Sequence, residues 1–225
     1  MIVQIYEINN VAEALKMAEM GVDHIGVVVG DGSYDVEIKS YKAREIFLAL
    51  PQDKNGVALF LTSDIDSIIR MVKEAEPDIL QLAAPPENIL PSQIEDIRTA
   101  IPNLPIMRTI PVGGEESVAA AMVYDGVCDF LLLDSKDPKS GQIGVTGRTH
   151  EWGISRKIVE TVRTKVILAG GLGPENVIEA IKTVRPYGVD SKTKTDRIGG
   201  KGKDLIKVKR FVDLAKSVDK LEAKT

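Results

Sequence analysis

The sequence contains few of the residues that hold small secreted domains or metal sites together. Its single cysteine, Cys128, cannot form an intrachain disulfide. Its two histidines, His24 and His150, lie far apart in the chain, and no Cys/His spacing typical of zinc is present. We therefore expect no structural metal. No motif indicates an organic cofactor.

Long apolar runs are also absent, so the sequence predicts no membrane span. The first ten residues lack the basic segment and apolar core of a secretory signal, and we expect a cytoplasmic protein. Charges of both signs are interspersed, with a formal net charge of -4, so no nucleic-acid footprint is predicted. The basic segment 201–210 is typical of a solvated helix face.

Short apolar runs alternate with longer amphipathic stretches along the whole chain. The runs predict eight strands at 2–8, 24–30, 57–61, 79–83, 105–112, 129–135, 165–171 and 187–193. The stretches between and after them predict helices at 11–21, 41–50, 64–75, 91–101, 115–126, 155–163, 174–184 and 203–218.

Eight strand–helix units without a break in composition predict an α/β protein, a single-domain (β/α)8 TIM barrel over residues 1–225. The runs are apolar throughout, as in strands that are buried on both faces. A doubly wound open sheet is the alternative. The absence of a G-x-G-x-x-G segment after the first strand argues against it.

The carboxyl ends of barrel strands carry the active site, so the residues there are the functional candidates. The segment 168–177, LAGGLGPENV, ends a strand in Gly170 and Gly171 and starts a helix near Pro174. Glycines allow a ligand close to the backbone, and free N–H groups at a helix start favour an anion. A tight turn that only reverses the chain explains the same residues. The usual position of phosphate sites after strands seven and eight favours a phosphate.

Two further strand ends carry polar side chains. Asp134 follows four apolar residues and could act as a general acid or base if burial raised its pKa; its alternative role is to cap the following loop. In the first strand, alternation places Gln4 and Tyr6 on the barrel side and Glu7 on the other. With an ordinary pKa of about 10, a tyrosine is a poor base near neutrality, so Tyr6 is expected to contact a ligand or to plug the barrel.

Several segments, in order, resemble phosphoribosylanthranilate isomerases of tryptophan biosynthesis. They are GVDHIGVVV, LLLDSKDP, TGRTHEW, ILAGGLGPENV, TVRPYGVD and GGKGKD; the resemblance extends over nearly the whole chain and is densest from Phe130 to Asp204. The resemblance implies an aldose-to-ketose rearrangement of a phosphorylated aminosugar. It also implies that Asp134 is the acid and that Gly170, Gly171 and Gly173 help to bind the phosphate.

The chain departs from the family at other site positions. Tyr6 stands where the family has the Cys that acts as its general base, and Glu7 stands where the family has the following Gly. Asp35 stands where the family has an Arg that would hold the anthranilate carboxylate. After strand eight, Lys192-Thr193-Lys194 replaces Ser-Ser-Gly, so that Thr193 and Lys194 are the phosphate candidates. The base is then Glu7, if it curls over the rim, or Tyr6, if a cation lowers its pKa.

Two more positions are expected to contact the substrate. Gln81 matches a family residue after strand four, and Arg108 stands in place of a basic residue of strand five. The partner of the whole site would be a small phosphorylated metabolite, and a homo-oligomer is compatible with the fold.

Three functions remain open at this point. The first is a diverged isomerase or epimerase that acts on another phosphorylated sugar. The second is a genuine phosphoribosylanthranilate isomerase with an altered base. The third is a non-catalytic barrel that binds a phosphometabolite.

Overall fold

A computed structural model of the chain describes residues 1–135, 152–199 and 201–222. Eight parallel strands form one closed barrel in sequential order, in which β1 pairs with both β2 and β8. The strands are β1 Ile2–Tyr6, β2 His24–Val28, β3 Asn55–Phe60, β4 Ile79–Leu82, β5 Ile106–Val112, β6 Phe130–Ser135, β7 Lys165–Leu168 and β8 Gly188–Ser191. The predicted TIM barrel is confirmed.

Each strand is followed by a helix that covers the outside of the sheet. The helices are α1 Val11–Glu19, α2 Ser40–Leu48, α3 Ile65–Ala75, α4 Pro91–Ala100, α5 Glu116–Val123, α6 Trp152–Thr161, α7 Val177–Val184 and α8 Leu205–Glu222. The side chain of Asp64 caps α3 by accepting a hydrogen bond from the Ser67 amide, as its position before the helix predicts. No helix among the described residues is long and apolar enough to cross a membrane.

Two hydrophobic clusters form the core. The larger lies between the sheet and the helices, while the smaller fills the barrel interior. The smaller cluster consists of Tyr6, Val57, Ile79, Met107, Leu132, Ile167 and Ala169. Because alternate residues of a strand face opposite sides, the inward residues of β6 are Phe130, Leu132 and Asp134. The middle of the barrel interior is thus apolar, and its carboxyl end is polar.

The elements near the glycine-rich segment are shorter than the sequence predicts. β7 ends at Leu168 rather than at residue 171, since Gly170 and Gly171 adopt φ values of 81° and 66°. A strand cannot continue through this left-handed region. The residues 174–176 form a turn, and α7 begins only at Val177. β8 ends at Ser191, and a 3-10 turn, Thr193–Thr195, follows it.

Candidate functional site

A cavity of about 560 Å³ opens at the carboxyl end of the barrel, where active sites of this fold lie. Its walls come from the ends of seven strands and from the loops that follow them. The polar lining residues are Tyr6, Glu7, Tyr34, Asp35, Gln81, Thr109, Asp134, Asp190, Ser191, Lys192, Thr193 and Lys194. The backbone of Gly170, Gly171 and Leu172 completes one side.

Tyr6 starts a chain of hydrogen bonds across the cavity floor. Its hydroxyl donates to Oε1 of Gln81 at 2.6 Å, and Nε2 of Gln81 donates to Oγ1 of Thr109 at 3.0 Å. Burial, and then the negative charge of Asp190, raise the pKa of Tyr6 well above its ordinary value. The cation that would make Tyr6 a base is therefore missing from its described surroundings, and this geometry favours the alternative in which Tyr6 plugs the barrel. Gln81 lies in the cavity as expected.

Room for the Tyr6 ring comes from Gly26 on the neighbouring strand. Tyr6 and Gly26 are partners in the β1–β2 register, and a Cβ on Gly26 would lie 2.2 Å from Cδ1 of Tyr6. A residue larger than glycine at position 26 would therefore collide with the ring.

Two carboxyl groups face the cavity from β6 and β8. Burial raises the pKa of Asp134 to about 6, although the Ser135 amide, which donates to its Oδ1 at 2.7 Å, and the charge of Lys192 act in the opposite direction. Burial, and then the charge of Asp134, raise the pKa of Asp190 to about 8. The two groups therefore differ in proton affinity within one cavity, which is the arrangement that acid–base catalysis requires.

Glu7 does curl over the rim of the barrel, but it is paired there. Its Oε2 lies 2.8 Å from Nζ of Lys192, and both side chains are about one quarter exposed. The ion pair joins the end of β1 to the loop after β8. Glu7 stays a candidate base, but it must leave Lys192 in order to reach a substrate proton.

The loops after β7 and β8 approach each other closely. Ser191 donates through its hydroxyl to the carbonyl oxygen of Leu172 at 2.7 Å. Among the described residues, no group accepts a hydrogen bond from the amides of Gly171, Leu172, Thr193 or Lys194. These donors border the cavity, as does the exposed side chain of Lys194.

Gly173 has a different role from the one that the sequence suggests. Its amide donates to Oδ1 of Asn176 at 2.9 Å, while Nδ2 of Asn176 donates to the carbonyl of Gly171. A Cβ on Gly173 would lie 2.8 Å from Cβ of Lys194. Gly173 thus lets the two loops approach each other, and it does not line the cavity.

Arg108 also differs from the prediction, because it points away from the cavity. It is fully buried, and its guanidinium donates to the carbonyl oxygens of Leu82 and Ala84, both at 2.7 Å. Its Cζ lies 5.3 Å from the centre of the Tyr124 ring. Alternation explains this outcome, since Met107 and Thr109 face the barrel interior and Arg108 must face the helices. Arg108 therefore fixes the loop after β4 and cannot contact a substrate directly.

The single cysteine is likewise outside the cavity. Cys128 is buried among the residues between sheet and helices, and burial raises its pKa to about 12. It cannot supply the thiolate base that the family uses. Asp35, in contrast, is exposed and lines the cavity mouth as expected. Residues 136–151 and 200, which carry parts of the resembling segments TGRTHEW and GGKGKD, lie outside the described residues.

Several polar residues in or near the site were missed at the level of sequence, among them Thr109, Asp190 and Lys203. Asp190 is the third residue of β8, GVDS, and its side chain lines the cavity. Alternation along this strand could have identified it as an inward residue. Lys203 precedes α8 and is 1% exposed; its ammonium donates to the carbonyl of Lys192 at 3.0 Å and to Oδ1 of Asp196 at 2.5 Å. It fixes the loop after β8, and nothing in the sequence around it indicated burial.

Residues 3–214 match the family model described as N-(5'phosphoribosyl)anthranilate (PRA) isomerase. The chain belongs to this family. N-(5'-phosphoribosyl)anthranilate isomerase 2 of Methanosarcina mazei is 36% identical over 216 residues, which cover 96% of this chain and 94% of the relative. The isomerase of Methanocella arvoryzae is 34% identical over 89% of this chain and 91% of its own.

Solved structures of phosphoribosylanthranilate isomerases share the fold. The enzyme of Thermotoga maritima matches with a TM-score of 0.79 at 29% identity, over 96% of this chain and all of that one. Another isomerase of this family was solved with reduced 1-(o-carboxyphenylamino)-1-deoxyribulose 5-phosphate and matches with a TM-score of 0.76 at 26% identity, over 96% of this chain and all of that one.

Proposed function

We propose that this chain isomerises N-(5'-phosphoribosyl)anthranilate, an aldose-to-ketose rearrangement at C1 and C2 of the ribose. The observation that supports this most is the placement of Asp134, which lines a cavity bordered by the loops after β7 and β8 and whose pKa burial raises to about 6. A carboxyl with a pKa near the working pH is suited to proton transfer. A family relative bound to a phosphorylated ketose analogue supports the same substrate class.

The phosphate end is proposed at the loops after β7 and β8. Gly170 and Gly171 turn the backbone with positive φ, and both line the cavity together with Thr193 and Lys194. A phosphate bound there would accept hydrogen bonds from amides and interact with the charge of Lys194. Lys192 stands beside them, although Glu7 already neutralises it.

The acidic mouth of the cavity, at the end away from the proposed phosphate site, favours a second candidate substrate. Asp35 lines the mouth where a substrate carboxylate would lie, together with Tyr34 and Val36. Two like charges about 4 Å apart in water repel by about 1 kcal/mol, which corresponds to a roughly fivefold loss of affinity. Because Asp35 is exposed, repulsion of this size weakens anthranilate binding without preventing it. It also favours an aminosugar phosphate that lacks the carboxylate, which is the second candidate.

Complementation tests the proposed reaction. The gene for this chain should restore growth without tryptophan to a strain that lacks the isomerase, and the Asp134→Asn variant should fail. Purified protein should convert the substrate to the ketose, with both species separated by chromatography. A folded wild-type protein that neither complements nor converts would contradict the proposal. Turnover of a carboxylate-free aminosugar phosphate alone would support the second candidate, and phosphate binding without any turnover would support a binding protein.

Charge reversal at the mouth separates the two substrates. Asp35→Arg should raise kcat/KM for the anthranilate substrate roughly fivefold or more, since repulsion is replaced by attraction. The same variant should have little effect on a carboxylate-free analogue. Asp31→Arg is the matched control, because Asp31 is an exposed residue of the same loop that does not line the cavity. An equal gain from both variants would indicate a general effect of charge instead.

A further inference from the structure

We propose that Asp190 is a second catalytic residue, which donates a proton to the ring oxygen of the substrate while the carboxylate of Asp134 moves the proton from C2 to C1. The proposal rests on the proposed isomerase function. It assigns to Asp134 the opposite role from the acid that the family resemblance implies.

The position of Asp190 is the first observation. It lies on β8, which β7 separates from the strand of Asp134, β6. Both side chains line the same cavity. Its side chain is 8% exposed, and its Oδ1 is buried without a hydrogen-bond partner among the described residues. A buried carboxyl oxygen without a partner is costly, so such a group is expected to have one in the working enzyme. Nε2 of Gln4 is also buried without a partner, and a hydrogen bond from the Gln4 side chain lowers the pKa of Asp190, so this amide can satisfy Oδ1 and hold the carboxyl beside the cavity that Asp190 lines.

Two residues inside the barrel, Gln4 and His24, lie on the amino-terminal side of Asp190 and support it. Gln4 is its partner in the β1–β8 register. Oε1 of Gln4 lies 3.0 Å from Nδ1 of His24, and because an amide oxygen only accepts, the imidazole must donate. Burial lowers the pKa of His24 to about 4, so the ring is neutral near pH 7. Its hydrogen bond turns the amide nitrogen of Gln4 away from His24.

The alternative bases are occupied or misplaced. The hydroxyl of Tyr6 donates to Gln81, the carboxylate of Glu7 pairs with Lys192, and the thiol of Cys128 lies outside the barrel. Among the described residues, Asp134 and Asp190 are the two carboxyls of the cavity without an ion pair to a cation, apart from Asp35 at the open mouth.

The distribution of the proton supports the assignment. Asp190 faces Asp134, Tyr6 and Lys203, and its pKa is raised to about 8, whereas that of Asp134 is raised only to about 6. Burial raises the pKa of both carboxyls, and the charge of Asp134 raises that of Asp190 further, so we assign the shared proton of the pair to Asp190. The pair titrates as a unit, and its apparent pKa values belong to both groups.

The expected orientation of the substrate agrees with these roles. β8 leads directly into Lys192 and Thr193, where the phosphate is proposed to bind. The phosphate is attached at C5 of the ribose, next to C4, which carries the ring oxygen. In the orientation that we propose, the ring oxygen lies toward β8 and Asp190.

The proton transfers balance. The nitrogen lone pair forms a C1=N bond while the C1–O bond of the ring breaks, and the ring oxygen takes the proton of Asp190. Asp134 then removes the proton of C2, whose electrons form the C1=C2 bond and neutralise the iminium nitrogen. Asp134 returns its proton to C1 as the C2 carbonyl forms, and the C2 hydroxyl proton goes to Asp190. Both carboxyls end in their starting states.

Carbon NMR of labelled aspartate tests the proton distribution without any substrate. In the wild-type protein one cavity carboxyl should titrate near pH 6 and one near pH 8, and Asp190→Asn should remove the upper titration. Asp134→Asn should remove the lower one and reduce the pKa of Asp190, because a neighbouring charge is lost. An Asp190 that is already ionised at pH 6 would overturn the assignment.

Kinetics with substrate deuterated at C2 tests the roles. Each Asn variant should lose roughly 10²- to 10⁴-fold in kcat. Asp190→Asn should show no isotope effect, since ring opening limits it, whereas Asp134→Asn should show a primary effect. Asp53→Asn, which removes an exposed carboxylate, is the control and should behave as wild type. The reverse isotope pattern, or an active Asp190→Asn, would overturn the inference and leave the function standing. A wild-type protein without turnover would instead refute the function.

Discussion

The contact between Tyr6 and Gly26 allows a prediction that can be worked out from the structure. Gly26→Ala places a methyl group where the Tyr6 ring now lies, 2.2 Å from Cδ1. The backbone of Gly26 does not require positive φ, so the ring contact is the principal cost. Tyr6 is buried and bonded to Gln81, so the ring cannot move without breaking that bond. Overpacking of this kind costs about 1–3 kcal/mol.

A double-mutant cycle measures the effect. Gly26→Ala should lower the free energy of unfolding in urea by about 1–3 kcal/mol in the wild-type background. In the Tyr6→Cys background, where the smaller side chain leaves space, the same change should cost less, and the difference should exceed about 0.5 kcal/mol, as for residues in contact. An equal cost in both backgrounds would refute the account of why residue 26 is glycine.

Three further predictions concern the site. Tyr6→Phe should keep kcat within a few-fold but lower the unfolding free energy by about 1–3 kcal/mol, because Gln81 loses its donor; a loss of 10²-fold or more in kcat would instead make Tyr6 a base. Lys203→Met should raise KM for the phosphorylated substrate more than it lowers kcat, since Lys203 fixes the loop after β8; unchanged KM would contradict this. Asp190 has a folded pKa of about 8 above an ordinary value of 3.8, so its contribution to stability is full below pH 4 and is lost as pH rises to 8. The unfolding free energy of the wild-type protein relative to that of Asp190→Asn should therefore fall by up to about 1.4 kcal/mol per pH unit in that window. A difference in unfolding free energy that does not change with pH would contradict the raised pKa of Asp190.

The barrel could be predicted from the sequence because its signal is repeated. Each strand is a short apolar run with a helix after it, so the pattern is clear even where single boundaries are not. Boundaries are wrong by a few residues in several elements, and at Gly170, Gly171 and residues 191–193 the cause is visible, because the chain leaves regular structure there. Sequence patterns describe regular elements, whereas at these residues the chain turns.

The site was less predictable because it depends on the face of each strand. Arg108 was expected in the cavity because it stands in place of a basic strand-five residue of the family, but alternation within β5 directs it outward. Asp190 was missed although the same rule directs it inward. The burial of Lys203 depends on contacts between the loop after β8 and the segment before α8, which no local pattern records.

The pH dependence of kcat/KM for N-(5'-phosphoribosyl)anthranilate tests the two-carboxylate mechanism most directly. Catalysis by ionised Asp134 and protonated Asp190 predicts a bell-shaped profile that rises through pH 6 and falls through pH 8, with its maximum between them. A profile that stays flat between pH 5 and pH 9, or that lacks the alkaline limb, would contradict the mechanism.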